Sequence, residues 1–234
     1  MEIVIYLYNG ITALDVVGPY EVLSKMPDAN IKFVGEAQGP IVSDSHFLKL
    51  VADYEISEIE RADILLIPGS VIGFLREAKK EPVKDWIRRI HQTTQWTVSV
   101  CTGSIILAST GILKGLRASS HWAVIHLLKD YGAIPTLERF VREGKIITSQ
   151  GVSAGIDMGL YLASQIVGVE QAKVIQLMIE YFPEPPLGYT SMQETSEETR
   201  ALARKLNEAR VKKEMSVFEM AKNIPSILKL KMGK

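Results

Sequence analysis

Residues 96–111 read Trp-Thr-Val-Ser-Val-Cys-Thr-Gly-Ser-Ile-Ile-Leu-Ala-Ser-Thr-Gly. Trp96 to Val100 reads as a strand, Cys101-Thr102-Gly103-Ser104 as the turn at its end, and the apolar stretch after it as a helix stopped by Gly111. The cysteine therefore stands where a strand gives way to a helix.

The same alternation runs outward in both directions. Ile3 to Tyr8 is a continuous apolar run ending at Asn9-Gly10, which predicts a central parallel strand buried on both faces. Thr12 to Met26 carries Leu14, Val17, Val22 and Leu23 at roughly helical spacing, with Pro19 assigned to an early helical position and Pro27 closing the segment. Ile31 and Phe33 mark a second strand, and Leu48 to Val51 a more peripheral one. Asp63 to Ile67 is a buried run stopped by Pro68-Gly69-Ser70, and Gly73 to Ile90 is expected to supply the helix after it. His121 to Tyr131 reads as helical up to Gly132, Phe140 to Gly144 and Lys145 to Ser149 as short strands around a turn, and Ser153 to Val167 as a further helix. Such repeated alternation predicts an α/β fold with a mostly parallel sheet covered on both faces, and places function at the carboxyl ends of the strands.

The chain has 234 residues, of which 47% are hydrophobic and 23% charged, so it suits one globular domain with a real core. Its 27 basic residues balance 27 acidic ones, which leaves no positive field for nucleic acid. The single cysteine cannot form an internal disulfide, and the start MEIVIYLYNG lacks the pattern of a secretory signal; a cytoplasmic protein is expected. No apolar run reaches the length needed to cross a bilayer, so no membrane span is expected. No closely spaced His/Cys/Asp/Glu set and no Gly-rich fingerprint points to a metal or cofactor, and none is expected. Residues 194–214 are helix-favouring and charged, and 215–234 mix apolar and basic residues. We read 1–190 as the α/β unit and 191–234 as a solvated helical extension of it, suited to pairing subunits.

A cysteine on a strand-to-helix turn meets exposed backbone N–H groups and the positive end of a helix, conditions that lower a thiol's pKa. Gly103 and Ser104 are expected to keep its approach open, the Thr102 N–H to hold developing negative charge, and Thr102 Oγ1 to position water or substrate. Against this stands the ordinary fate of a lone cysteine, a small buried hydrophobe. Asp15 lies just beyond the first strand, where it either shares a proton with Cys101 or simply stabilises the start of a helix. The amides of Gly69 and Ser70 form either an oxyanion pocket or a plain turn. His121 either joins the site or serves as a structural hydrogen-bonding group.

In chain order, ALDVVGPYEVL (13–23), DILLIPGS (63–70), VSVCTGSIILASTGIL (98–113), SSHW (119–122) and TSQGVSAGIDMGLYLA (148–163) resemble the ThiJ/PfpI family of the class I glutamine amidotransferase-like superfamily. The resemblance covers residues 1 to about 188. It implies a flavodoxin-like three-layer sandwich, a nucleophile elbow at Cys101, an acidic partner at Asp15, oxyanion-hole amides near Gly69 and Thr102, and a homodimer.

Within that family the pattern is most similar to isonitrile hydratases and to the amidotransferase-like domain at the front of some AraC-type regulators. The first implies a small-molecule substrate, R–N≡C, hydrated to an N-substituted formamide through a Cys101 thioimidate. The second needs a DNA-binding module for which the segment after about Thr190 is too short. Family proteases carry histidine directly after the cysteine, where this chain has Thr102. Glutaminases place a His-x-Glu pair late in the domain, whereas 148–157 holds no histidine. Ser70 replaces the second glycine of the frequent Pro-Gly-Gly turn. Redox sensing and glyoxalase-like or chaperone-like activity are the alternatives the resemblance leaves open.

Overall fold

The computed structural model describes residues 1–188 and 190–215. Along the chain run β1 (Glu2–Tyr6), α1 (Ala13–Leu23), β2 (Asn30–Gly35), β3 (Gly39–Val42), β4 (Lys49–Ala52), β5 (Tyr54–Glu55), β6 (Ile64–Ile67), α2 (Gly73–Glu77), α3 (Glu81–Thr93), β7 (Trp96–Val100) and α4 (Gly103–Ser109). There follow β8 (Arg117–Ala118), β9 (Ile134–Pro135), β10 (Phe140–Glu143), β11 (Ile146–Ser149), α5 (Ala154–Val167), α6 (Val169–Met178) and α7 (Glu197–Glu214).

A seven-stranded sheet has the order β10-β11-β7-β6-β1-β2-β5, parallel except for the β10–β11 edge pair. β1, β6 and β7 are its middle. Ile3 to Tyr6 of β1 and Ile64 to Ile67 of β6 are apolar throughout, β7 alternates Val98 and Val100 with Thr97 and Ser99, and all are buried because helices cover both faces. From β1 the chain steps to β2 on one side, and from β6 it steps to β7 on the other. Right-handed crossovers then put α1 on one face and α2 and α3 on the opposite one. Accordingly α1 packs on α5 and α5 on α6, while α4 packs on α2 and α3. The result is the flavodoxin-like sandwich, and the reversal of direction between β1 and β6 opens a crevice at their carboxyl ends.

Several local expectations are corrected. Pro19 lies inside α1 rather than at its start. Gly73 to Ile90 is two helices, because α2 ends at Glu77 and α3 restarts at Glu81 with Pro82 in its first turn. The helix of 121–131 is a 3₁₀ helix confined to Ile125–Tyr131. The peripheral strand near Leu48 belongs to a separate hairpin, β3–β4. α6 and the two-residue strands β5, β8 and β9 carry too little pattern to be read from sequence. The extension forms α7 over Glu197–Glu214, while 216–234 lie outside the described residues. Among the described residues, no helix is long and apolar enough to cross a membrane, and no group of three or more His, Cys, Asp or Glu is placed to hold a metal ion.

Candidate active site

Three neighbouring strands deliver the site from their carboxyl ends: β1 leads to Asp15, β6 to Gly69 and Ser70, and β7 to Cys101. Cys101 has φ 58°, a left-handed conformation that an L side chain adopts at a cost of about 1–3 kcal/mol unless its surroundings hold it. Here they do. The Cys101 N–H donates to Gln150 O at 3.1 Å. Its carbonyl accepts from Ser104 Oγ at 3.0 Å and from Ser120 Oγ at 3.1 Å. Ser120 is thus a support of the elbow that sequence reasoning passed over, although it stands beside His121 in the SSHW stretch.

The elbow also demands its glycines. A Cβ on Gly69 would lie 2.5 Å from the Thr102 nitrogen and 2.8 Å from Cys101 Cβ. One on Gly103 would lie 2.1 Å from Ile67 O, so Gly103 lets α4 pack against the end of β6; it does not clear an approach to the sulfur. Ser104 is likewise fully buried.

Asp15 is fully buried, behind the cavity wall rather than in it. Its Oδ2 accepts the Gly69 N–H at 3.0 Å, and its Oδ1 has no hydrogen bond of good geometry. Burial raises its carboxyl from 3.8 to about 7, against the stabilising pull of the Gly69 N–H and the Cys101 thiol. Asp15 and Cys101 are therefore close enough to share a proton.

The expectation of a depressed thiol pKa is not met. Burial, and then the nearby Asp15 charge, push the Cys101 thiol well above its ordinary range. The N–H groups of Thr102 and Val152 oppose this without reversing it. Val152 is the second residue missed from sequence. At φ 48° this β-branched residue is a genuine outlier, and its N–H lies within reach of both Cys101 and Asp15. Nothing in the amino-acid type foretells that conformation.

The oxyanion amides are arranged differently from the sequence expectation. The Gly69 N–H is taken by Asp15, and the Ser70 N–H donates to Thr102 Oγ1 at 2.8 Å. Thr102 Oγ1 in turn donates to Ser70 O at 2.9 Å, so this hydroxyl is tied into the loop rather than held ready for water. Ser70 Oγ accepts the Phe74 N–H at 2.6 Å, at the start of α2. The amides directed at the sulfur are those of Thr102 and Val152.

His121 does reach the site. It lines the same cavity as Cys101, packs against Gly151 and Trp122, and is held neutral by burial, which lowers it to about 4. The cavity encloses about 210 Å³ and is walled by Ser70, Val71, Cys101, Thr102, Val124 and Val152 among others, which suits a small molecule. Cys101 is only 4% exposed, yet it opens onto this space.

The chain has relatives among known proteins. An isonitrile hydratase from Pseudomonas putida is 38% identical over 187 residues, 80% of this chain and 81% of that protein. The HTH-type transcriptional regulator CdhR of Pseudomonas aeruginosa is 32% identical over 138 residues, which cover 57% of this chain but only 40% of the regulator. Among solved structures, a ThiJ/PfpI family protein from Pseudomonas syringae superposes with a TM-score of 0.85 at 33% identity, covering 91% of this chain and 88% of that one. The family profile described as DJ-1/PfpI matches residues 1–165. On its sequence and its fold alike, the chain belongs to the DJ-1/PfpI family.

Proposed function

We propose that the protein is a cysteine-dependent hydratase that adds water to small isonitriles. The observation that carries this reading is the pairing of a buried carboxyl titrating at about 7 with a protonated thiol on a strained elbow that faces a small cavity. The likeness to the Pseudomonas putida isonitrile hydratase supports the choice of substrate class.

The reaction needs a nucleophile that gives up one proton and a group that returns it to carbon. The Asp15 carboxylate takes the Cys101 proton as sulfur bonds to the terminal isonitrile carbon, and the new acid returns that proton to the same carbon, leaving the thioimidate R–N=CH–S. Water then adds to the C=N bond. One proton of that water passes to nitrogen; collapse of the tetrahedral adduct then releases R–NH–CHO and expels the sulfur, which takes the hydroxyl proton and is again the thiol beside Asp15. A carboxyl matched to neutral pH serves both directions of transfer. The Thr102 and Val152 N–H groups stabilise the sulfur while it is anionic.

The same electrostatics argue against a redox sensor, whose reaction with peroxide requires a standing thiolate. Here the thiolate forms only when Asp15 removes the proton. The reading includes a homodimer, for which exposed Leu177, Met178 and Phe182 offer an apolar surface to cover. The test is incubation with an alkyl isonitrile, following formation of the N-alkylformamide. Turnover by the wild type and none by Cys101→Ala is the expected result. Full turnover by Cys101→Ala would overturn the mechanism, and a reactive Cys101 with no formamide would overturn the substrate.

A further inference from the structure

The cavity over Cys101 has one wall that the α/β sandwich does not supply. On α7 the partly buried positions are Arg200, the adjacent pair Ala203 and Arg204, Asn207, Val211 and Glu214, which recur every three or four residues and so lie on a single face. Leu202, Lys205 and Leu206 point outward. A face that packs for stability alone is apolar, whereas this one is mostly polar and rests over a cavity.

Arg204, Asn207 and Val211 line that cavity together with Cys101. The Arg204 guanidinium lies over the Trp122 ring at 5.8 Å, and its carboxylate neighbour Glu197 is 3.8 Å away, too far for a two-pronged hydrogen bond. Most of its donors are therefore unclaimed among the described residues. The Asn207 amide likewise has no partner among them. Arg210 is different, because it faces Asp44 at 3.8 Å and Asp44 also accepts from Thr12 Oγ1 at 2.7 Å. With that pair set aside, the charged lining is Arg204 and Lys212 against Glu208, which leaves it net positive. The apolar side chains lining the same cavity include Val71, Val124, Val152 and Val211.

We propose that α7 is the specificity wall of the Cys101 pocket and that Arg204 and Asn207 select substrates ending in a carboxylate, with the reacting group at the sulfur and a short apolar body between. Combined with the hydratase reading, on which only the identity of the reacting group rests, the substrates are isonitriles that carry a carboxylate.

Two measurements separate the claims. The first needs no turnover: Cys101 is alkylated with 3-maleimidopropionate and with its uncharged amide, which match in size and differ in charge. The rate ratio of acid to amide falls about three- to tenfold in Arg204→Gln, the scale of one partly exposed charge-assisted contact. It stays at the wild-type value in Lys205→Gln, which removes an equal charge from the outer face of the same turn. Equal ratios in all three proteins, or equal falls in both variants, overturn the proposal. The second compares an isocyano carboxylic acid with its methyl ester as substrates. The acid is preferred by the wild type, and Arg204→Gln raises KM for the acid with a smaller change in kcat. Equal kcat/KM for acid and ester in the wild type overturns the proposal and leaves the hydratase reading intact. Turnover of neither sinks the hydratase reading, and the alkylation ratios then decide the proposal alone.

Discussion

Thr102 Oγ1 and the Ser70 peptide exchange two hydrogen bonds, one received at 2.8 Å and one given at 2.9 Å. This clasp ties the loop after β6 to the elbow after β7. Thr102→Val keeps the shape and removes both bonds, leaving a buried N–H and C=O without partners. Unfolding by urea should show a loss of about 1–3 kcal/mol, with Thr102→Ser retaining most of it. A valine variant as stable as the wild type would show that the clasp contributes nothing.

The pH dependence of turnover follows from Asp15. In the proposed mechanism the carboxylate is the base, so kcat/KM should rise tenfold per pH unit below about 7 and level off above it. His121, held near 4, adds no step between pH 5 and 8. Asp15→Asn should lower the rate by about 100-fold or more and abolish the limb near 7. A limb that persists unchanged in Asp15→Asn would assign it to another group.

Stability should move the opposite way. Asp15 titrates at about 7 when folded and near its ordinary 3.8 when unfolded, so the folded state binds the extra proton between those values. The linked stability is fully present below the unfolded pKa and is lost as pH rises through the folded one, by roughly 4 kcal/mol in total. Asp15→Asn lacks this slope. Relative to the wild type it should gain stability from pH 4 to pH 8, as thermal melts across that range will show; parallel pH curves for the two proteins would contradict the raised pKa.

The two close-packed glycines should differ in severity. Gly103→Ala drives its new Cβ into the backbone oxygen of Ile67 at 2.1 Å, where neither can move aside, and should cost more than about 3 kcal/mol or prevent folding. Gly69→Ala meets the Thr102 nitrogen and Cys101 Cβ, so it should fold with a displaced elbow and lose activity beyond its loss of stability. Circular dichroism melts together with the formamide assay distinguish the two.

Much of the architecture was already written in local pattern. The apolar runs at 3–8 and 64–67 became two of the central strands because a strand covered on both faces needs no polar side, while the third, β7, buries Thr97 and Ser99 beside Val98 and Val100. Cys101 was legible from its place between that strand and the glycine-bearing turn that opens α4. Where the pattern was thin, reading failed: β5, β8 and β9 are two residues long, and α6 presents Val174 and Leu177 to the outside. What periodicity cannot carry is which distant groups meet. The order of strands brought Asp15 beneath Cys101, and the burial this entails raised both pKa values, reversing the expectation for the thiol. It also consumed the Gly69 and Ser70 amides in holding the site together and laid a charged helix along one wall of the cavity. Hydrophobic alternation is a property of neighbouring residues, whereas desolvation, hydrogen-bond partners and the left-handed backbone of Cys101 and Val152 exist only once the whole chain has packed.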